Sequence, residues 1–244
     1  MFEHLEVLRR DRHADLRFQR VGTYGFARDV HMAPLAFSEL AEAARTYPIV
    51  FLPRREGEDA AGLPQALFGL TAGENQFVDE QGQWTADYVP AHLRRYPFVL
   101  GRTDDQDSYA VMFDPQAPHF AGEEGEPVFD TEGKPIGPLQ EANEFLMRFQ
   151  AEIEATRALT RRLDEAGVLT DRRLVISRGE EKRSVQGFRT VDDEAVRKLD
   201  DATLGAWARD GVLRLVYIHQ ASLANLRRLA AFPADARVDT GADG

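Results

Sequence analysis

The stretch GENQFVDEQGQWTADYVPAHLRRYPFVLG, residues 73–101, decides how the chain is read. It sets Phe77, Trp84, Tyr88, Tyr96 and Phe98 beside Glu74, Asn75, Asp87, His92, Arg94 and Arg95. Its first half, Gly73 to Trp84, reads as a hairpin with its turn at Asp79 to Gly82. Pro90 suits the first turn of a short helix. That helix runs through Leu93 and ends before Pro97, because a residue preceding proline resists the helical basin. Phe98–Leu100 and Tyr109–Phe113 then read as paired strands. Large aromatics beside a carboxylate, an amide and two guanidiniums suit two structures: a binding pocket and a tightly tied structural turn.

Upstream, Leu16 to Val30 alternates imperfectly and reads as strand, turn, strand around Gly22 and Gly25. Phe37, Leu40, Ala41 and Ala44 keep helical spacing up to the stop at Pro48, and Pro48–Leu52 is a short apolar run, a buried strand. Arg54 to Gly62 reads as a surface loop, and Gln65 to Leu70 as a second buried strand. Downstream, Ala117 to Pro138 is loop-like, with a tight hairpin over Val128 to Ile136. The longest helix covers roughly Leu139 to Ala166, capped by Gly167. Leu174–Ile176 and Ser184–Val191 suggest an antiparallel pair around a charged turn, Arg178 to Arg183. Asp192 caps a short helix to Leu199, and Asp201 or Thr203 caps another through Trp207 that Gly211 closes. Val212 to His219 reads as a strand and Ser222 to Ala231 as the final helix. The fold class is mixed α/β of the α+β kind: a central, mostly antiparallel sheet with one long helix and several short ones. Residues 1–232 form a single domain, and 233–244, poor in apolar side chains, form a disordered C-terminal tail.

Composition narrows the function. The chain has 244 residues, 43% hydrophobic and 29% charged, enough for a sizeable core. No apolar run reaches the roughly 20 residues of a membrane helix. The N-terminus has no apolar central run, so it is not a secretory signal and the expected residence is cytoplasmic. A net charge of −11 argues against nucleic acid and anionic membrane surfaces as partners. With no cysteine, disulfides, thiolate metal sites and a cysteine nucleophile are excluded.

The remaining chemistry is sparse. No His-Glu-x-x-His, His-x-His or His-x-Asp pattern occurs, and His31 with Glu39, or His119 with a distant carboxylate, meet only by folding. No metal site and no cofactor are therefore read. There is no Gly-x-Ser-x-Gly elbow. His219 and Ser222 invite a base–nucleophile reading, but His219 ending a strand and Ser222 capping the last helix is the preferred one. Gly122 to Glu126 is too acidic to cradle phosphate.

That leaves Asn75, Trp84, Tyr88, Arg94, Arg95 and Tyr96 as candidate ligand-binding residues. Arg94 or Arg95 can clamp a carboxylate or phosphate through two parallel hydrogen bonds. Alternatively, one of them pairs with Glu74 or Asp87 and ties the hairpin to the short helix. Adjacent helical residues point about 100° apart, so at most one of the two faces a pocket. Residues such as Trp84 and Tyr88 are more often core anchors than ligand platforms. The ligand that fits is a small carboxylate with an aromatic or apolar body, such as an amino acid or a peptide end.

Glu74-Asn75, Trp84-x-x-Asp87-Tyr88-x-Pro90-Ala91 and Arg94-Arg95-Tyr96-Pro97-Phe98 together resemble the signature of the bacterial SapC-like proteins. Tyr47-Pro48-Ile49-Val50-Phe51 is similar to a further element of that family, and Gly125-Glu-Pro-Val128-Phe-Asp130 to another, with valine for the usual leucine. Gly187-Phe188 and His219 to Leu226 fit as well. The resemblance covers roughly residues 15 to 232. It implies an accessory protein associated with surface-layer and TonB-dependent receptor loci, and it supplies no catalytic residues. Three functions follow. The first is a binding or accessory protein that recognises a small anionic ligand or a protein partner. The second is an enzyme acting on a peptide or small molecule, with a metal held by scattered His and Glu. The third is a structural surface-layer accessory.

Overall fold

The structure is a computed structural model of the 244-residue chain. It describes residues 1–2, 4–53, 62–102, 108–122, 124–178, 181–230 and 237–242, and for 174–178, 181–186 and 237–242 the backbone alone. The surface loop read over Arg54 to Gly62 lies, but for Gly62, outside the described residues.

In chain order the elements are β1 (Glu6–Val7), α1 (Arg10–His13), β2 (Arg17–Phe18), β3 (Met32–Pro34), α2 (Leu40–Ala43), β4 (Ile49–Phe51), β5 (Pro64–Leu67), α3 (Ala91–Arg94), β6 (Phe98–Arg102), β7 (Tyr109–Phe113) and β8 (Glu126–Pro127). There follow α4 (Gly137–Glu165), β9 (Leu169–Arg178), β10 (Glu181–Val191), α5 (Asp193–Arg197), α6 (Asp201–Asp210), α7 (Val212–Ser222), α8 (Leu226–Ala230) and β11 (Arg237–Ala242). Single 3₁₀ turns lie at Gly25–Ala27, Phe37–Glu39, Pro118–Phe120 and Leu223–Asn225.

The central sheet has the order β11-β9-β10-β4-β5-β3, and every described pairing in it is antiparallel. Ile49 and Phe51 face one side, against Leu215, Val216 and Trp207. Val50 faces the other, against Leu226 and Leu229. A strand covered on both faces carries no polar alternation, which is why Pro48–Leu52 is a continuous apolar run. A smaller sheet, β1-β7-β6, packs Phe98 and Phe113 on Leu139 and Leu146 of α4. The long helix thus spans both cores, since Leu163 near its other end joins the first. Burying each such Leu or Phe side chain contributes about 1.5–3 kcal/mol. Gly167 (φ 66°) closes α4, as its place after the last helical turn suggests.

Several elements differ from the sequence reading. Val212–Ser222 is a helix, not a strand. Its buried residues Val212, Leu215, Val216, His219 and Ser222 keep helical spacing, while Tyr217 is exposed. An apolar run that short fits both periods, and packing chose. In the segment 16–30 only Arg17–Phe18 is a strand, paired with Glu126–Pro127. Beyond it, Gln19 N–H donates to His119 O (2.9 Å) and Tyr24 N–H to Gly82 O (2.6 Å), while Ala27, Arg28 and Val30 bond locally around a 3₁₀ turn. Pro90 precedes α3 as its cap (φ −56°, ψ 143°) rather than standing in its first turn. The cap of α6 is Asp200, whose carboxylate accepts from Thr203 N–H, not Asp201 or Thr203. Arg237–Ala242, within the stretch read as a disordered tail, runs antiparallel to β9 with Val238 opposite Ile176. An open sheet edge recruits a strand through main-chain hydrogen bonds, which demand little of composition.

Candidate functional site

The site begins with Glu39, in the 3₁₀ turn before α2. Its Oε1 accepts Ala36 N–H at 2.8 Å, as the third residue of a capping box does. Its Oε2 reaches across the fold, accepting Tyr88 Oη–H at 2.7 Å and Ala91 N–H at 2.8 Å. The carboxylate is buried, and its hydrogen bonds fix α3 against α2. Burial, then the Glu39 carboxylate, pushes the Tyr88 hydroxyl pKa upward, so Tyr88 is a neutral donor.

Between α3 and α4 runs a groove with two lobes of about 290 and 250 Å³. Arg94 and Phe145 belong to both lobes and divide them, with the Arg94 guanidinium 5.5 Å from the Phe145 ring. Arg94 Nε donates to Val89 O at 3.0 Å. The first lobe is walled by Tyr88 and Phe149, with Ser38, Arg148 and Glu152 at its rim. The second is walled by Phe18, Tyr96, Phe98 and Leu146 and carries Arg20, Arg94 and Arg95. Glu141, also in the second lobe, is bound to Arg20 at 2.7 Å.

Arg95 has no carboxylate within ion-pair distance among the described residues, and its Nε is buried without a hydrogen-bond partner. Its guanidinium lies 5.5 Å from the Phe2 ring and 6.0 Å from Phe149. One terminal nitrogen is 3.4 Å from His92 Nε2. Burial lowers the Arg95 pKa to about 10. Burial, then Arg95, lowers that of His92 to about 3, which leaves the ring neutral and able to accept from the guanidinium. Burial also lowers His119 to about 4, and its Nδ1 is likewise buried without a hydrogen-bond partner among the described residues. The His119 ring lies 5.5 Å from that of Tyr96.

The sequence candidates separate into two groups. Tyr88 and Arg94 line the first lobe, and Arg94, Arg95 and Tyr96 the second. Asn75 and Trp84 stand behind the groove as structural ties. Asn75 Nδ2 donates to Ala27 O at 2.8 Å and its Oδ1 accepts Phe77 N–H. Trp84 Nε1 donates to Tyr47 Oη and Tyr88 O, both at 3.0 Å, inside a cluster with Phe68 and Phe77. Two expectations are corrected. No ion pair joins Glu74 or Asp87 to Arg94 or Arg95, because Glu39 makes the tie instead. Arg94 and Arg95 both line the second lobe, Arg95 keeping helical dihedrals (φ −72°, ψ −18°) as the last residue of the turn, since their long side chains span the angle between them. Glu39 enters the sequence reading only as a candidate partner of His31, and Phe145 and Phe149 are not read there as site residues. The Ala36-x-x-Glu39 spacing was the available signal for Glu39, and the i, i+4 aromatics of α4 for the pair, whose rings stack 6.2 Å apart.

His219 and Ser222 are also ties. His219 Nε2 accepts Val191 N–H at 3.1 Å, so Nδ1 carries the proton and donates to Ile49 O at 2.8 Å. Ser222 Oγ accepts Ile49 N–H at 2.9 Å and donates to His219 O at 2.6 Å. Asn225 Nδ2 donates to Ala44 O at 2.7 Å. Spaced at three-residue steps, these side chains satisfy the backbone around β4, and Ser222 does not cap the last helix. Burial lowers His219 to about 4. Among the described residues no three His, Asp or Glu side chains converge on a point where a metal ion would sit.

Fold and groove together define an α+β protein with an aromatic-walled cleft along its longest helix, arginine-rich in its second lobe. None of its described helices is long and apolar enough to cross a membrane. The chain belongs to the SapC family, whose sequence profile matches residues 8–229. Among curated proteins and among solved structures, no match is found.

Proposed function

We propose that this SapC family member is a binding protein for a small carboxylate with an apolar or aromatic body, held in the α3–α4 groove with Arg95 as its anchor. The single observation that carries the reading is Arg95 itself, a largely buried guanidinium with no carboxylate partner among the described residues. Burying a cation without a counter-charge costs several kcal/mol. Ring faces at 5.5 and 6.0 Å recover only part of that. A ligand carboxylate would complete the pair through two parallel hydrogen bonds, while Tyr96 and Phe98 take its apolar body. The acidic chain disfavours a highly phosphorylated ligand. The association with surface-layer and TonB-dependent receptor loci that the family resemblance implies supports an accessory role.

The test is thermal unfolding with 3-phenylpropionate and N-acetylphenylalanine. Wild type should gain melting temperature with ligand concentration. Arg95→Ala should lose that gain while remaining folded, with a melting temperature at or above wild type. Absence of any gain in wild type, or its survival in Arg95→Ala, overturns the reading.

A further inference from the structure

A second cavity lies beside the β10–α5 junction and α8, apart from the α3–α4 groove. It measures about 860 Å³ and opens where the sheet face under α8 runs past its cover. Phe188, on β10, and Leu226, on α8, are both buried in the core beneath that face. Beyond them the face continues to Thr190 and Arg172, where the cavity stands. Its volume falls within the roughly 300–1,000 Å³ of sites that enclose drug-sized molecules.

The charges around it are unequally committed. Asp192 caps α5, accepting from Glu194 N–H at 2.8 Å and Ala195 N–H at 3.3 Å. Asp193 accepts from Gln220 Nε2 and stands 3.6 Å from Arg197. Arg172 is steered into place by Thr190, whose Oγ1 accepts from Nε at 3.2 Å, and its terminal nitrogens carry no ion pair among the described residues. Arg227, on α8, likewise has none. Arg172 and Arg227, neither with an ion-pair partner among the described residues, therefore share the lining with three carboxylates, of which Glu194 alone has no side-chain hydrogen bond among the described residues. Phe188, Val191, Leu223 and Leu226 supply the apolar surface between them.

The geometry points to a second ligand site here, built for an amphiphilic monoanion: an elongated apolar body against Phe188 and Leu226, with its carboxylate between Arg172 and Arg227. The arginines come from the sheet and from the last helix, so a bound anion bridges α8 to β9. The site shares no residue with the α3–α4 groove. Its occupancy is thus separable from that of Arg95.

Calorimetric titration of the full chain with decanoate tests this, with acetate and decanamide as the head-only and body-only controls. Decanoate should saturate a site and bind at least 10-fold more tightly than either control. Arg172→Gln and Arg227→Gln should each weaken it several-fold. Ala224→Trp should abolish it without lowering the melting temperature, since Ala224 lines the cavity from an exposed position. Arg95→Ala should leave this affinity unchanged. Equal binding of decanamide, indifference to Ala224→Trp, or loss on Arg95→Ala alone would each overturn the assignment, the last by moving the decanoate into the groove.

Discussion

The Tyr88 hydroxyl donates to Glu39 Oε2 at 2.7 Å, and the same oxygen accepts the Ala91 amide at 2.8 Å. One carboxylate from the N-terminal third thus holds the aromatic stretch and the start of α3 together. Glu39→Ala would orphan Ala36 N–H, Ala91 N–H and the Tyr88 hydroxyl, and should cost about 3 kcal/mol. Tyr88→Phe should cost about 1 kcal/mol, and the two should be sub-additive in a double-mutant cycle. Glu74→Ala and Asp87→Ala should each stay within about 0.5 kcal/mol of wild type. Urea unfolding checks the set, and an Asp87→Ala variant as damaged as Glu39→Ala would restore the ion pair that the sequence suggested.

Stability should fall on acidification through the buried histidines. Burial lowers His92 to about 3, and His119 and His219 each to about 4, from an ordinary 6.5. Above pH 6.5 these rings are neutral in both folded and unfolded chains. Below it the unfolded chain takes up protons that the folded one refuses, so stability drops as pH falls from about 6.5 toward 4, by up to about 1.4 kcal/mol per pH unit for each histidine. Denaturation midpoints from pH 8 to pH 4 measure this. His219→Ala, though less stable throughout, should show a slope shallower by about one proton, and an unchanged slope would remove His219 from the account.

Ser222 is predicted to be inert as a nucleophile and costly to remove. Its side chain is fully buried with both hydrogen-bonding roles taken. Ser222→Ala should cost about 1–3 kcal/mol by orphaning the Ile49 amide. Native protein treated with phenylmethylsulfonyl fluoride should show no adduct at Ser222 by mass spectrometry, whereas stoichiometric labelling there would revive the hydrolase reading.

Gly69 and Gly22 make a contrasting pair. A Cβ at Gly69 would stand 2.1 Å from the Glu74 carbonyl oxygen, against backbone that cannot yield cheaply, while one at Gly22 meets nothing within 4 Å. Gly69→Ala should therefore cost about 2 kcal/mol or more and Gly22→Ala less than about 0.5 kcal/mol. Equal melting temperatures for the two variants would contradict the close approach of residues 69 and 74.

Local signals made much of this protein legible before folding was considered. The run Pro48–Leu52, the glycine after α4, the turn at Asp79–Gly82 and the Asp192 cap all act within a few residues, and each stands where its chemistry puts it. The candidate stretch was legible as a dense aromatic and arginine cluster. Its division into wall and support was not. Trp84 and Tyr88 are equivalent as residue types, yet one is enclosed by Tyr47 and Phe68 while the other lines a cleft, because α4 passes over only one of them. The Val212–Ser222 segment shows the same limit, since its apolar run fits a strand or a helix until His219 and Ser222 must reach the backbone of β4. Glu39 was ordinary in sequence and became the tie because Tyr88, 49 positions away, is brought to it. Sequence determined what each segment can form and how much it can bury. Tertiary structure decided which polar groups meet, because hydrogen bonds and unpaired charges depend on distances between segments that no local pattern encodes.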